Sequence, residues 1–179
     1  EVSISPLSCI IDNHKPIFIG VSEVLKRSTE LTKELLGKEL RVKLDELNQL
    51  WHNSTLEKIF IEKRIYRNIE EKETWDDVIL AINKGLQPFI HSLKKNISEE
   101  DIIRLTEIKI KRISKYDIDK ADKKINQIQY DLKDVQFKID NLNNYAINYF
   151  KELKTKYSRG RQRKTEIRIF DDVDAKKVV

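Results

Sequence analysis

The stretch IDKADKKINQIQYDLKDVQFKIDNLNNYAINYFKEL, residues 118–153, decides the fold. Its apolar residues recur at spacings of three and four, and most positions between them are Lys, Asp, Asn, Gln or Glu. This heptad seam contains no Pro or Gly, and at ~1.5 Å per residue it predicts a rod roughly 54 Å long. Such a narrow seam needs one partner helix; a solvated helix on a bundle is the alternative. The seam residues are Ile118, Ala121, Ile125, Ile128, Leu132, Val135, Ile139, Leu142, Ala146, Tyr149 and Leu153.

The composition fits long solvated helices. Of 179 residues, 36% are charged and 39% are hydrophobic, with four Gly and three Pro, which is not the composition of a disordered tail. The net charge of +5 permits contact with nucleic acid but does not require it. Because Cys9 is the single cysteine, no internal disulfide or Cys-based zinc site can form, which fits a reducing compartment.

The ends of the chain and its hydropathy also limit the interpretation. No apolar run is long enough to span a membrane, and no signal peptide is visible. The chain starts at Glu1 and contains no Met, so we expect an excised fragment of a longer protein.

The partner for the rod is predicted at residues 22–61. Ser22 is a plausible N-cap for this helix, and Gly37 lies near a shift in its apolar register. Two rods of similar length, joined by a compact segment, predict an antiparallel coiled-coil hairpin. A parallel dimer between chains is the alternative. The apolar positions of this helix are Val24, Leu31, Leu35, Leu40, Leu44, Leu47 and Trp51.

Residues 62–114 connect the rods and predict a small helical tip. Thr74 is expected to cap one helix that ends at Gly85, and Pro88 suits the first turn of the next. Ser98 is expected to cap a third helix, with acidic residues following it. Residues 108–111 alternate like a strand, but the preceding cap favours a helix.

The two ends of the chain predict a small sheet at the base of the hairpin. Residues 1–21 suggest two short strands around a turn, and Thr165 to Phe170 alternates like a third strand. The ascending rod is predicted to span residues 115–157. The overall prediction is therefore a mainly α fold: a long coiled-coil hairpin, a helical tip, and a short β-sheet at the base.

Few residues suggest chemistry of their own. His14, His52 and His91 have no metal-ligand spacing, and no phosphate loop, dinucleotide fingerprint or nucleophile elbow occurs. The basic residues of 158–179 are interpreted either as a solvated connector or as sequence-independent phosphate contacts. The candidate phosphate contacts are Lys26, Arg27, Arg159, Arg161, Arg163 and Lys164.

Three stretches together resemble the A subunits of bacterial type IIA DNA topoisomerases, that is, DNA gyrase and topoisomerase IV. They are LTEIKIKRIS at 105–114 followed by the rod, YSRGRQRKTEI at 157–167, and residues 12–25 with Lys15-Pro16 and Gly20-Val21. The family carries an exit-gate helix, an ascending long helix and a basic turn ending in Arg-Thr-Glu-Ile, in which Lys164 replaces the Arg. The order and spacing of these motifs are more specific than any one of them. Residues 61–74 depart from the family pattern by being longer and more charged.

The resemblance implies a role for this chain within a larger enzyme. Residues 1–21 would end the tower domain, and the rest would form the coiled coil and the exit gate, with a DNA-wrapping domain after Val179. The parent enzyme, in the bacterial cytoplasm, cleaves one duplex through a tyrosine, passes another duplex and reseals the break. It uses magnesium near that tyrosine and ATP on its B subunit. No tyrosine here matches the family's Arg-Tyr pair. We therefore assign no catalytic, cofactor-binding or metal-binding residue to this chain.

The tip is expected to hold two copies of the chain together. Residues 102–114 carry more apolar side chains than one helical face can bury, and such a patch usually marks an interface. The alternative function is a stand-alone helical-hairpin binding module without an enzymatic role, whose tip would be free. The residues expected at the dimer contact are Leu105, Ile108, Ile110 and Ile113.

Overall fold

The structure is a computed structural model that describes residues 9–12, 14–162 and 164. The fold is mainly α-helical with a small antiparallel sheet, as the sequence predicts. The chain divides into two compact units, Glu1–Leu142 and Asn143–Val179.

The sheet is a hairpin of two strands, β1 (Cys9–Asp12) and β2 (Lys15–Phe18). Cys9 pairs with Phe18 and Asp12 pairs with Lys15 across the antiparallel ladder. His14 adopts a φ of 64°, the left-handed backbone that tight hairpin turns need. The third predicted strand, at 165–170, lies outside the described residues.

Helix α1 (Val21–Glu62) is 42 residues long and follows directly from the sheet. Its N-cap is Gly20, whose carbonyl accepts hydrogen bonds from the backbone N–H groups of Glu23 and Val24. The prediction of Ser22 as the cap is therefore wrong, because Ser22 already lies in the first helical turn.

Helix α5 (Ile118–Asp140) packs along α1 and forms the predicted antiparallel hairpin. Near its middle, Trp51 packs against Ile125, Ile128 and Leu132. Towards the tip, Lys58 pairs with Asp122, and towards the sheet, Gly37 lies against Leu142. Residue numbers therefore decrease along the second helix as they increase along α1, which shows that the two helices pack antiparallel.

The buried stripe of α1 differs from the predicted one in its first half. Leu31 and Leu35 are exposed, whereas Leu36 and Leu40 are buried. Leu36 and Leu40 lie four residues apart and continue to Leu44 along one helical face, while Leu35 points about 100° away from Leu36. The buried seam therefore begins at Leu36, whereas the sequence predicted it from Val24 onward.

The ascending rod is interrupted at Asn141, where one continuous helix was predicted. Helix α5 ends at Asp140, and α6 (Leu142–Tyr157) follows it. The Asn141 side chain donates from Nδ2 to the Phe137 carbonyl at 3.0 Å. The backbone N–H of Asn141 donates to the same carbonyl at 3.0 Å, so this carbonyl accepts from both groups of one residue. The break itself lies in the backbone of Asn141, whose φ of −113° and ψ of 40° are not helical. The described part of the second unit consists mainly of α6, in which Ala146 is buried.

The tip consists of short helices between α1 and α5. Thr74 and Ser98 cap their helices as predicted, each accepting a hydrogen bond from the backbone N–H three residues later. The predicted helix at 108–111 is only partly correct: residues 110–114 are helical, but Ile108 and Lys109 lie between two helices. The elements are a 3-10 helix (Ile65–Ile69), α2 (Trp75–Leu86), a second 3-10 helix (Gln87–Ser92), α3 (Glu99–Thr106) and α4 (Ile110–Ser114).

Gly85 does not end α2, contrary to the prediction, because the helix continues to Leu86. A Cβ at Gly85 would lie 2.8 Å from Cγ2 of Ile65 and 3.0 Å from Nδ2 of Asn68. The glycine therefore allows α2 to approach the 3-10 helix at 65–69 closely, which explains a glycine inside a helix. The resulting core includes Leu56, Phe60, Ile82 and Leu86, all fully buried.

Candidate functional site

The four residues predicted at a dimer contact have different environments in the tip. Leu105 is 3% exposed and belongs to the core of its own chain. Ile108 and Ile113 are partly buried and pack against that core. Ile110, at the start of α4, is 83% exposed. Because Leu105 is already covered, Ile110 and the exposed parts of Ile108 and Ile113 constitute the apolar surface that a second copy could contact.

A buried polar pair ties the tip to the coiled coil. His52 of α1 and Asp101 of α3 are 2% and 3% exposed, and Nε2 of His52 lies 3.1 Å from Oδ2 of Asp101. Oδ2 of Asp101 also accepts from the backbone N–H and the hydroxyl of Ser98, while Oδ1 accepts from Arg104 at 2.9 Å. One carboxylate thus both completes the capping box of α3 and joins this helix to α1.

The hydrogen bonds at Asp101 determine its charge state. Burial alone would raise the pKa of this carboxyl group, but the bonds from Ser98 and His52 lower it below its ordinary value. Asp101 therefore carries its negative charge at neutral pH, which strengthens the bonds that it accepts.

Between α1, the α3–α4 segment and α5 runs a groove with a strongly cationic lining, which we call the basic groove. It consists of two adjoining hollows of about 450 and 560 Å³ that share several residues, among them Lys109, Arg112 and Lys124. Cationic side chains outnumber carboxylates along its lining. The lysines are Lys109, Lys111, Lys115, Lys120 and Lys124.

An ion pair and a partly buried tyrosine also line the basic groove. Arg112 contacts both carboxylate oxygens of Glu57, with Nε 2.6 Å from Oε1 and Nη2 2.8 Å from Oε2. This two-point contact joins α4 to α1 and neutralises Glu57. Burial, followed by the nearby charge of Glu57, raises the pKa of Tyr116 to about 12, so its phenol stays protonated.

The candidate phosphate contacts near the sheet and beyond α6 are mostly exposed. Lys26 is exposed on α1, but Arg27 already pairs with Asp12 at 3.2 Å and with Glu23 at 3.1 Å. In the second unit, Arg159, Arg161 and Lys164 are exposed, and Arg163 lies outside the described residues. Gly160, with a φ of 77°, forms the turn in this basic segment.

Neither a metal site nor a membrane span is found in the part of the chain that the structure describes. There, no three His, Cys, Asp or Glu side chains come close enough together to hold a metal ion. None of the helices described combines the length and the apolar character needed to cross a bilayer.

The sequence matches a known family over most of its length. The model of the family formed by the A subunits of DNA gyrase and topoisomerase IV matches residues 1–153. The chain belongs to this family. It is also similar to the A subunit of DNA topoisomerase 4 from Borreliella burgdorferi (strain ATCC 35210), with 28% identity over 178 residues. That alignment covers 99% of this chain and 28% of the relative, so the chain spans little more than a quarter of the relative's length.

Sequence reasoning missed two features of the tip, the His52–Asp101 pair and the basic groove. The pair joins residues 49 positions apart, and nothing in the local pattern around His52 indicates its partner. The groove did have a signal, because four of the seven residues at 109–115 are Lys or Arg. Ile110 and Ile113 lie between these basic residues and favour an interpretation of the segment as an apolar packing surface.

Proposed function

We propose that this chain is the coiled-coil and exit-gate segment of a type IIA DNA topoisomerase A subunit, and that its tip holds two copies of that polypeptide together. In this proposal the parent enzyme works in the bacterial cytoplasm with a B subunit, and it changes DNA topology by ATP-dependent double-strand passage. The family match and the antiparallel hairpin that ends in a compact tip support the proposal.

One observation carries the dimer contact. Ile110 is the most exposed large hydrophobic side chain in the described part of the chain. Covering an isoleucine completely contributes about 1.5–3 kcal/mol, and a two-fold contact counts each such residue twice. A second copy that seats its own α4 against this surface would therefore gain substantially from Ile110.

The dimer contact at an exit gate should be weak enough to open and close repeatedly. A duplex can leave only if the contact opens, so we propose an area near the ~1,600 Å² that is standard for specific complexes rather than a permanent interface. The core beneath the contact, formed by residues such as Phe60 and Ile82, would stay intact during opening because it lies within one chain.

The chemistry in this proposal belongs to the parent enzyme and not to this segment. The magnesium ion and the catalytic tyrosine would lie on other parts of the same polypeptide, and ATP would bind the B subunit. We therefore propose that the chain alone neither cleaves nor relaxes DNA. Phosphate contacts by Lys26, Arg159, Arg161, Arg163 and Lys164 belong to the same proposal, whereas the ion pairs of Arg27 make it a poor candidate.

A segment replacement tests the proposal. The stretch of the Borreliella burgdorferi protein that aligns with this chain would be exchanged for it, and strand passage measured with the B subunit, ATP and magnesium. We expect the hybrid to pass strands, and Ile110→Asp in the hybrid to reduce strand passage while DNA cleavage persists. Ile11→Asp, a change at a residue that is 80% exposed on β1, is the matched control and should keep activity.

Two results would contradict the proposal: a hybrid that cleaves DNA but cannot pass strands, or full strand passage by the Ile110→Asp hybrid. Persistent cleavage shows in either case that the hybrid protein is folded. A stand-alone helical-hairpin binding module is not favoured, because the family match covers most of the chain.

A further inference from the structure

We infer that the basic groove binds the sugar-phosphate backbone of duplex DNA, independently of base sequence. The inference depends on the proposed function only for the identity of the polyanion, since a type IIA topoisomerase handles duplex DNA. Its site is new, because the groove lies at the tip and involves none of the candidate phosphate contacts near the sheet or beyond α6.

The first argument is the balance of charge. Arg112 neutralises Glu57, and Lys120 pairs with Asp117 at 3.2 Å, so Glu107 is the one carboxylate of the lining that no ion pair compensates among the described residues. In contrast, no ion pair holds Lys109, Lys111, Lys115 or Lys124 among the residues that the structure describes. These four charges, which we call the free lysines, are available to an external anion.

The second argument is how the free lysines are placed. Lys109, Lys111 and Lys115 come from the α4 segment, and Lys124 comes from α5 on another side of the groove. The Arg112–Glu57 contact joins α4 to α1 within the groove. Cations that line two sides of one hollow suit a continuous row of phosphates better than a single small anion.

The third argument concerns the kind of contact. Lysine is a compact charge on a flexible stem, which suits phosphates whose exact position varies. The one aromatic side chain in the lining, Tyr116, is partly buried, so it offers little face for stacking on a base. Contacts of this kind depend on the negative charge of the phosphates and not on the base sequence.

The test compares two variants of the full 179-residue chain that remove the same charge. In the groove variant, Lys109, Lys111, Lys115 and Lys124 become Gln. In the control variant, Lys33, Lys43, Lys95 and Lys133 become Gln; all four are exposed, carry no ion pair in the described structure and lie outside the groove. Affinity for a labelled duplex of mixed sequence is measured by fluorescence anisotropy between about 50 and 200 mM salt.

We expect the groove variant to bind the duplex at least ~10-fold more weakly than the control variant. Each phosphate contact contributes about 0.9 to the magnitude of the slope of log affinity against log salt, so losing four should lower that magnitude by about 3.6. A third variant with Arg at the four groove positions should restore both affinity and slope, which separates loss of charge from loss of folding.

Equal losses in the groove and control variants would overturn the inference, as would a wild-type chain that binds no duplex. Polyglutamate is the competitor that separates DNA from an acidic protein partner: tight binding of polyglutamate without binding of duplex would also overturn it. None of these outcomes affects the segment replacement, in which strand passage can succeed whether or not this groove binds DNA.

Discussion

Leu105 and Ile110 are both apolar residues of the tip, but their environments differ completely. Leu105 is buried among core residues such as Ile102, whereas Ile110 is almost fully exposed. Leu105→Ala should lower the free energy of unfolding by about 2–5 kcal/mol, because it leaves a cavity in the core. Ile110→Ala should change this free energy by no more than about 0.5 kcal/mol under conditions where the chain is monomeric. Urea unfolding measures both, and similar losses would contradict the burial described here.

Asp101 makes the stability of the tip depend on pH. Its folded-state pKa is lowered, so its contribution is complete above the unfolded-state pKa, near 3.8, and is lost as pH falls through the folded-state value. Asp101→Asn should cost roughly 1–3 kcal/mol at neutral pH, because charge-assisted bonds to His52 and Arg104 are weakened. The difference in the free energy of unfolding between Asp101→Asn and the wild type should become smaller below about pH 4. Thermal unfolding at several pH values measures this, and a difference independent of pH would count against a negative charge on Asp101.

At the scale of elements, the caps decide where helices begin. Ser98 forms a reciprocal capping box with Asp101, whereas Ser22 lies inside α1 and caps nothing. Ser98→Ala should therefore destabilise the chain by about 1 kcal/mol, and Ser22→Ala should change stability by less than about 0.5 kcal/mol. Denaturant unfolding of the two variants compares them directly. An equal cost for both would mean that α1 begins later than Val21.

Elements with a strong local pattern were predictable from the sequence. The heptad spacing identified α5 and its partner, and the caps at Thr74 and Ser98 were correct because capping depends on residues close in sequence. The errors arose where tertiary contacts decide. Gly85 resembles a helix end, yet it serves a close approach to Ile65. Asn141 resembles one more polar position of the rod, yet its side chain bonds to the backbone.

The candidate site was only partly predictable, for the same reason. Of the apolar residues predicted at the dimer contact, Leu105 lies in the core and Ile108 and Ile113 pack against it, a division that the sequence could not give. That division depends on how α3 packs against α1, which the His52–Asp101 pair helps to fix. The basic groove likewise exists only because α5 brings Lys124 beside the α4 segment.

At the scale of the whole molecule, the central claim is that two chains join through the tip around Ile110. Sedimentation velocity of the wild-type chain at micromolar concentration, beside the Ile110→Asp and Ile11→Asp variants, tests it most directly. The account predicts dimers for the wild type and for Ile11→Asp, and a folded monomer for Ile110→Asp, because a buried unpaired carboxylate costs several kcal/mol. A monomeric wild type, or a dimer that survives Ile110→Asp, would contradict it.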